Sequence, residues 1–267
     1  MQIPKFETLE VSVDGALGRL TLTRPETLNP LGSDALREIA EAAHFLDTQA
    51  DLKVVIVSGR GRAFSAGADV SRFGQPDGDG APDLRRDADV GRVMADAMEN
   101  LAAVTVVGIQ GHCVGGGLVL AATCDLRIAS SDVRFAIPEI DLGIPLAWGG
   151  IPRLVREIGP ALTKELVMTC RPFGADEARS AGFLNRVVEP ESLEAEVEKL
   201  AAELLEKPKL ALLSTKRHTN AVTSEMLGMS RAWSDADGLL AGLRDAEGKA
   251  SAARYLEALK TRRAARG

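Results

Sequence analysis

Apolar and polar residues alternate through Phe6–Val13 and again through Arg19–Thr23, the two-residue period of strands with one covered face. Asp14-Gly15 between them is a hairpin turn signal. Arg24-Pro25 ends the second segment, and Ser33 or Asp34 stands where a side-chain cap would open a helix reaching about Gln49. The apolar runs then become unbroken. Lys53–Ser58 and Val104–Ile109 are dense in valine and isoleucine without alternation, the pattern of strands buried on both faces. A further strand is expected at Asp125–Ala129, with helices over Leu84–Leu101 and from Gly115–Gly117 onward. Strands alternating with helices over residues 53–135 predict an α/β layout.

Beyond Trp148 helical spacing dominates: Ile151–Ile158, Leu162–Thr169, Ala175–Ala181, Glu191–Leu205, Lys209–Thr219 and Ala241–Lys260. Leu184–Val188 adds one short edge strand. A polar turn and a short helix are expected after Asp69, followed by a loop at Gly74–Pro82, which has turn residues and almost nothing to bury. The pattern divides into a mixed core over residues 1–195 and a helical region over 196–267, the latter a lid or an oligomerisation module.

Composition narrows the function. The chain has 267 residues, a net charge of -6 and 4% aromatics, which disfavours a surface that stacks bases or neutralises a phosphate backbone, so no nucleic acid partner is expected. Cys113, Cys124 and Cys170 form no CxxC pair and read as small buried hydrophobes in a reducing compartment. His44, His112 and His218 show no metal-ligand spacing, so no metal is expected. Met1–Glu10 does not resemble a signal peptide, and the apolar runs are too short for a bilayer. A cytoplasmic location and no membrane partner are the expectation.

Two turns carry candidate chemistry. In Ala63–Val70 (AFSAGADV), small residues at Ala66, Gly67 and Ala68 let a ligand approach the backbone, and Asp69 stands where a following helix would be capped. In Gly111–Leu120 (GHCVGGGLVL), a strand leads through Gly115–Gly117 into an apolar helix, whose first N–H groups and positive dipole end suit an anion. Each turn alone also fits an ordinary strand-to-helix connection. Neither a phosphate loop nor a GxGxxG fingerprint is present.

Taken in order, FSAGAD, GxxxGGG, CDLRIAS and FAIPEIDLGI resemble the enoyl-CoA hydratase/isomerase (crotonase) superfamily. The likeness begins at Arg24-Pro25-x-x-x-Asn29 and extends through Cys170–Pro190. It implies a spiral ββα core with a helical C-terminal trimerisation region, and a homotrimer or dimer of trimers. It also implies an acyl-CoA substrate, with coenzyme A part of that substrate and no separate cofactor. By the same resemblance the thioester oxygen lies between the N–H groups of Ala68 and Gly116, an oxyanion hole. Ala66, Asp69 and Gly115 would border the substrate, and Arg24 lies where the family's contacts to the coenzyme A phosphates begin.

Hydratases of this family use two glutamates to hold a water. The second matches Glu139; the first falls on Val119, a hydrocarbon. A lone carboxylate suits proton transfer from one carbon to another, as in the family's double-bond isomerases, with Glu139 as base and then acid. Apolar walls at Val119 and Leu142 would raise its pKa. The acid that dienoyl-type isomerases add eight residues beyond the glutamate is Ala147 here, and Trp148 beside it would shape the acyl pocket or pack in the core. Asp125 and Arg127 read as structural ion-pair residues. Isomerisation leads; hydration by Glu139 alone and a non-catalytic acyl-CoA-binding role remain as alternatives.

Overall fold

The structure, a computed structural model, describes residues 3–69, 81–227, 232 and 234–264. β1 (Leu9–Asp14) and β2 (Leu17–Leu22) form the expected antiparallel hairpin around Gly15. β2 then pairs in parallel with β3 (Val54–Gly59), and parallel pairing continues through β4 (Val104–Ile109), β6 (Leu126–Ser130) and β9 (Arg186–Val188). The sheet order is β1-β2-β3-β4-β6-β9, which puts β9 at an edge, as the short run at Leu184–Val188 suggested.

The valine-rich strands are apolar at successive positions because both sheet faces are covered. On one face Val54, Ile56, Val106 and Ile128 meet Leu193, Val197, Leu200 and Ala201 of α6 (Leu193–Leu205). On the other, Val55, Val57, Val107 and Ile109 join a larger core with α1 (Ser33–Asp47), α2 (Ala81–Asn100) and α3 (Gly116–Thr123). Burying those side chains is the main favourable term holding the layers together. The boundary expected after residue 195 falls inside α6, so that helix belongs with the sheet.

A second, small sheet stands beside the first. β5 (His112–Val114) pairs in parallel with β7 (Arg134–Ala136), and β7 pairs antiparallel with the two-residue β8 (Phe173–Gly174). These strands are too short to show a period, which is why the sequence pattern passed over them.

Several boundaries differ from expectation. Gly32, in extended conformation, caps α1 with no side-chain bond, so Ser33 and Asp34 are helical rather than capping residues. Ala81 and Pro82 belong to α2 instead of the expected loop, and 74–80 lie outside the described residues, as does the short helix expected after Asp69. The α4 segment (Gly150–Thr169) breaks at Gly159 (φ 75°) before Pro160, which gives the two helices expected. α5 (Ala175–Ser180) follows, and α7 (Lys209–Leu227) runs longer than expected. The last expected helix is two: α8 (Asp235–Arg244) and α9 (Ala246–Ala264). Asp245 divides them by adopting extended backbone and accepting the Gly248 N–H at 2.7 Å, the geometry of an N-capping aspartate. Among the described residues no helix is long and apolar enough to cross a membrane.

Candidate active site

The two glycine-bearing turns are stitched together. Ser65 bridges Cys113 in parallel: its N–H donates to the His112 carbonyl (3.1 Å), and its own carbonyl accepts the Val114 N–H (3.0 Å). Gly67 (φ 85°) faces the Val114 carbonyl so closely that any Cβ would overlap it. Ser65, fully buried, donates from Oγ to the Asn29 carbonyl (2.8 Å) and accepts the Gly67 N–H (3.1 Å).

Asn29 anchors this assembly from the other side. It is buried at φ 51°, a left-handed conformation that asparagine tolerates better than most residues. Its Nδ2 donates to the carbonyls of Arg60, Ala63 and Phe64, and its Oδ1 accepts the Arg24 N–H. The Ala66 N–H donates to the Leu28 carbonyl, and Leu31 donates to Gly67. The loop from Arg24 to Leu31 therefore sets the position of the Ala66–Ala68 turn. Arg24 does not line the cavity described below; its charge acts on Glu38.

Two donors emerge from these turns. Gly116 opens α3, so its N–H has no partner within the helix and sits at the positive dipole end. Among the described residues no acceptor takes the N–H of Ala68 or of Gly116. Gly117 packs on Ser65, where a Cβ would come within 2.8 Å of the serine Cβ, which holds the start of α3 against the first turn.

The small sheet delivers the carboxylate. Val114 lies in register with Ala136, and the Gly115 N–H (φ 48°) donates to the Ala136 carbonyl at 2.9 Å. Three residues beyond Ala136, Glu139 returns over Gly115, whose missing side chain leaves room for Oε1. Turn bonds from Leu142 to Pro138, Gly143 to Ile140 and Ile144 to Glu139 fix the segment. Glu139 is 8% exposed, and its Oε2 has no hydrogen-bond partner among the described residues. Burial pushes its carboxyl up to about 7, against a small opposing pull from a backbone hydrogen bond. Asp141, next but one, is exposed.

These groups meet in a cavity of about 820 Å³. Of the expected site residues, Ala68, Asp69, Gly116, Val119, Glu139, Leu142 and Trp148 line it, and Ala147 does too; Ala66 and Gly115 are not among the lining residues. Val119 is 1% exposed and packs beside Gly150. Asp69 stands near Gly32 at the start of α1; the helix it was expected to cap lies outside the described residues. Trp148, at φ 61°, lays its ring between Gly91 of α2 and Gly116, and a Cβ on either glycine would overlap it.

The sequence pattern missed three contributions. Leu239, Leu240 and Leu243 of α8 and Lys249, Ala252, Ala253 and Leu256 of α9 line the same cavity. Arg153, fully buried, bonds the carbonyls of Trp148 and Gly149 and pairs with Asp96 (3.1 Å) and Glu99 (2.7 Å). Asp235 of α8 accepts the Gly149 N–H at 2.7 Å. No feature of the sequence around these residues marks them as neighbours of the cavity. Asp125 and Arg127 do form ion pairs, with Lys216 and Glu157 respectively. The described residues contain no cluster of three His, Cys, Asp or Glu placed to hold a metal.

Residues 13–263 match the family model for enoyl-CoA hydratase/isomerase. The chain is 34% identical over 216 residues to a crotonyl-CoA hydratase of Syntrophomonas wolfei, covering 80% of this chain and 82% of that one. It is 32% identical over 229 residues to a peroxisomal Delta(3,5)-Delta(2,4)-dienoyl-CoA isomerase of Arabidopsis thaliana, covering 81% and 82%. Among solved structures, an enoyl-CoA hydratase/isomerase of Mycobacterium paratuberculosis superposes with a TM-score of 0.86 at 26% identity, over 94% of this chain and all of that one.

Proposed function

This chain belongs to the enoyl-CoA hydratase/isomerase family, and from that premise we propose that it shifts a double bond in an enoyl-CoA thioester, with Glu139 as the single proton carrier. The observation that carries the proposal is one buried carboxylate, Glu139, in a cavity also lined by a hydrocarbon, Val119, where the sequence resemblance puts the family's first glutamate.

The proposed steps are these. The thioester oxygen of a 3-enoyl-CoA accepts hydrogen bonds from the Ala68 and Gly116 N–H groups. Glu139 removes a proton from the carbon beside the thioester, and the electron pair moves into the carbonyl, forming an enolate. The two donors are preorganised for that charge, and each such donor is typically worth about 3 kcal/mol in the transition state. The enolate then collapses to the conjugated 2-enoyl thioester as Glu139 returns the proton two carbons further along. A base with a pKa of about 7 suits both halves, since it accepts and releases a proton near neutral pH. The apolar walls around it, Val119 and Leu142, give water little to bond to.

A second reading is hydration of a 2-enoyl-CoA, with Glu139 alone activating the water. It is favoured by the 34% identity to a protein named for crotonyl-CoA hydration. Parallel assays separate the two: the isomerase reading expects conversion of a 3-enoyl-CoA to the conjugated product, lost in Glu139→Gln, and hydration of crotonyl-CoA slower by an order of magnitude or more. Faster hydration than isomerisation selects the second reading. Assembly into a trimer is a further part of the proposal, supported by the exposed apolar residues Leu210, Val222 and Met226 along α7.

A further inference from the structure

The cavity is far larger than the reaction needs. An apolar cavity of about 150 Å³ accepts a benzene ring, whereas this one measures about 820 Å³. If half of that volume receives the thioester and the pantetheine end, the remainder still exceeds twice the space that holds six ring carbons. A four-carbon crotonyl group would leave most of it unfilled.

The Trp148 ring fills the gap between Gly91 and Gly116, closing the space between α2 and the start of α3. The same cavity is lined by Leu239, Leu240 and Leu243 of α8 and by Ala252 and Leu256 of α9. The α9 lining positions recur at the three- and four-residue spacing of one helix face.

This wall is built onto the segment that carries the base. Gly143, four residues after Glu139, lies at φ 70° against Gly242 and Gly248, and a Cβ on either of those two would stand 2.8 Å from the Gly143 carbonyl oxygen. Asp235 ties the start of α8 to Gly149, beside Trp148. The wall is thus held in fixed register with Glu139 and with Trp148.

We propose that the acyl group taken here is long and apolar, of at least about eight carbons, and that leucines on α8 and α9 set its length. The inference rests on the acyl-thioester reading of the site. It is tested by calorimetric titration of the full chain with saturated acyl-CoAs from butyryl to dodecanoyl, which bind without reacting. The expected result is a gain of roughly threefold to fourfold in affinity for each added methylene, continuing at least to octanoyl-CoA. Leu240→Trp and Leu256→Trp, placed on separate helices so that misfolding of one leaves the other, should erase at least about tenfold of the decanoyl-to-butyryl affinity ratio. Equal affinity for butyryl- and decanoyl-CoA overturns the chain-length inference alone. Failure to bind acyl-CoA of any length contradicts the thioester reading itself.

Discussion

A Cβ placed on Gly115 would collide with Oε1 of Glu139. The glycine before α3 and the proposed base are in direct contact, so the site has two requirements at one position: a positive-φ backbone and the absence of a side chain. Gly115→Ala should therefore displace the carboxylate: the added Cβ would stand well inside ordinary van der Waals contact with Oε1. Misplacement of about 1 Å can cost on the order of a hundredfold in rate, and a fall in kcat of that size in a protein that still melts cooperatively is expected. Wild-type kcat in the variant would show that the contact is unimportant.

The pH dependence follows from the burial of Glu139. The base must be ionised to accept the proton, so kcat/KM should rise with pH through about 7 and level off above it. The same shift bears on stability, with the sign of an acid whose folded pKa lies above its unfolded value. Below about 4.5 both states are protonated; as pH rises from there to about 7 the unfolded chain ionises first, and the fold loses about 3 kcal/mol. Glu139→Gln should remove this loss, making the variant more stable than wild type at pH 8. Denaturant titrations of both proteins at pH 5 and pH 8 read the difference directly.

Val119 lines the cavity, and the sequence resemblance matches it to the first of the two glutamates that hydratases of the family use. Val119→Glu should raise crotonyl-CoA hydration by about tenfold or more, because a second carboxylate orients the water that Glu139 holds poorly alone. Burying the new group should lower stability by about 1–3 kcal/mol. Measuring hydration and isomerisation on the same preparation checks it; an unchanged ratio would mean that Val119 does not decide between the reactions.

Asn29 does not line the cavity, yet its Nδ2 bonds the Ala63 and Phe64 carbonyls at the first turn as well as the Arg60 carbonyl, while its Oδ1 accepts the Arg24 N–H. Asn29→Ala forfeits them and places alanine in a left-handed conformation, for an expected loss of about 3 kcal/mol or more. Because the donor turn shifts with it, kcat should fall more than KM rises, a split that distinguishes positioning from simple destabilisation. Urea midpoints and steady-state kinetics together read both effects.

How much of this was legible in the sequence depended on the range of the interaction. The sandwiched strands β3 and β4 announced themselves, since burial on both faces leaves an unbroken valine and isoleucine run. The site glycines were legible as a pattern, and Glu139 through its place in FAIPEIDLGI. Their reasons were not: Gly115 is small because of Glu139, Gly116 because of Trp148 and Gly117 because of Ser65, contacts that exist only once the turns are brought together. The lining by α8 and α9 was illegible for the same reason. Leucines at helical spacing look alike whether they face a core, a partner or a cavity. The division of that region at Asp245 depends on one capping bond, which helical periodicity does not register.

The central claim is that one carboxylate carries one proton between two carbons of the substrate. Its most direct test is incubation of a 3-enoyl-CoA with the enzyme in deuterated water, following the acyl group by mass spectrometry and proton NMR. The account predicts the conjugated 2-enoyl product, with any deuterium confined to the two carbons that exchange protons with Glu139, and neither product nor label with Glu139→Gln. A wild-type enzyme that gives no 2-enoyl product and no deuterium exchange would contradict it.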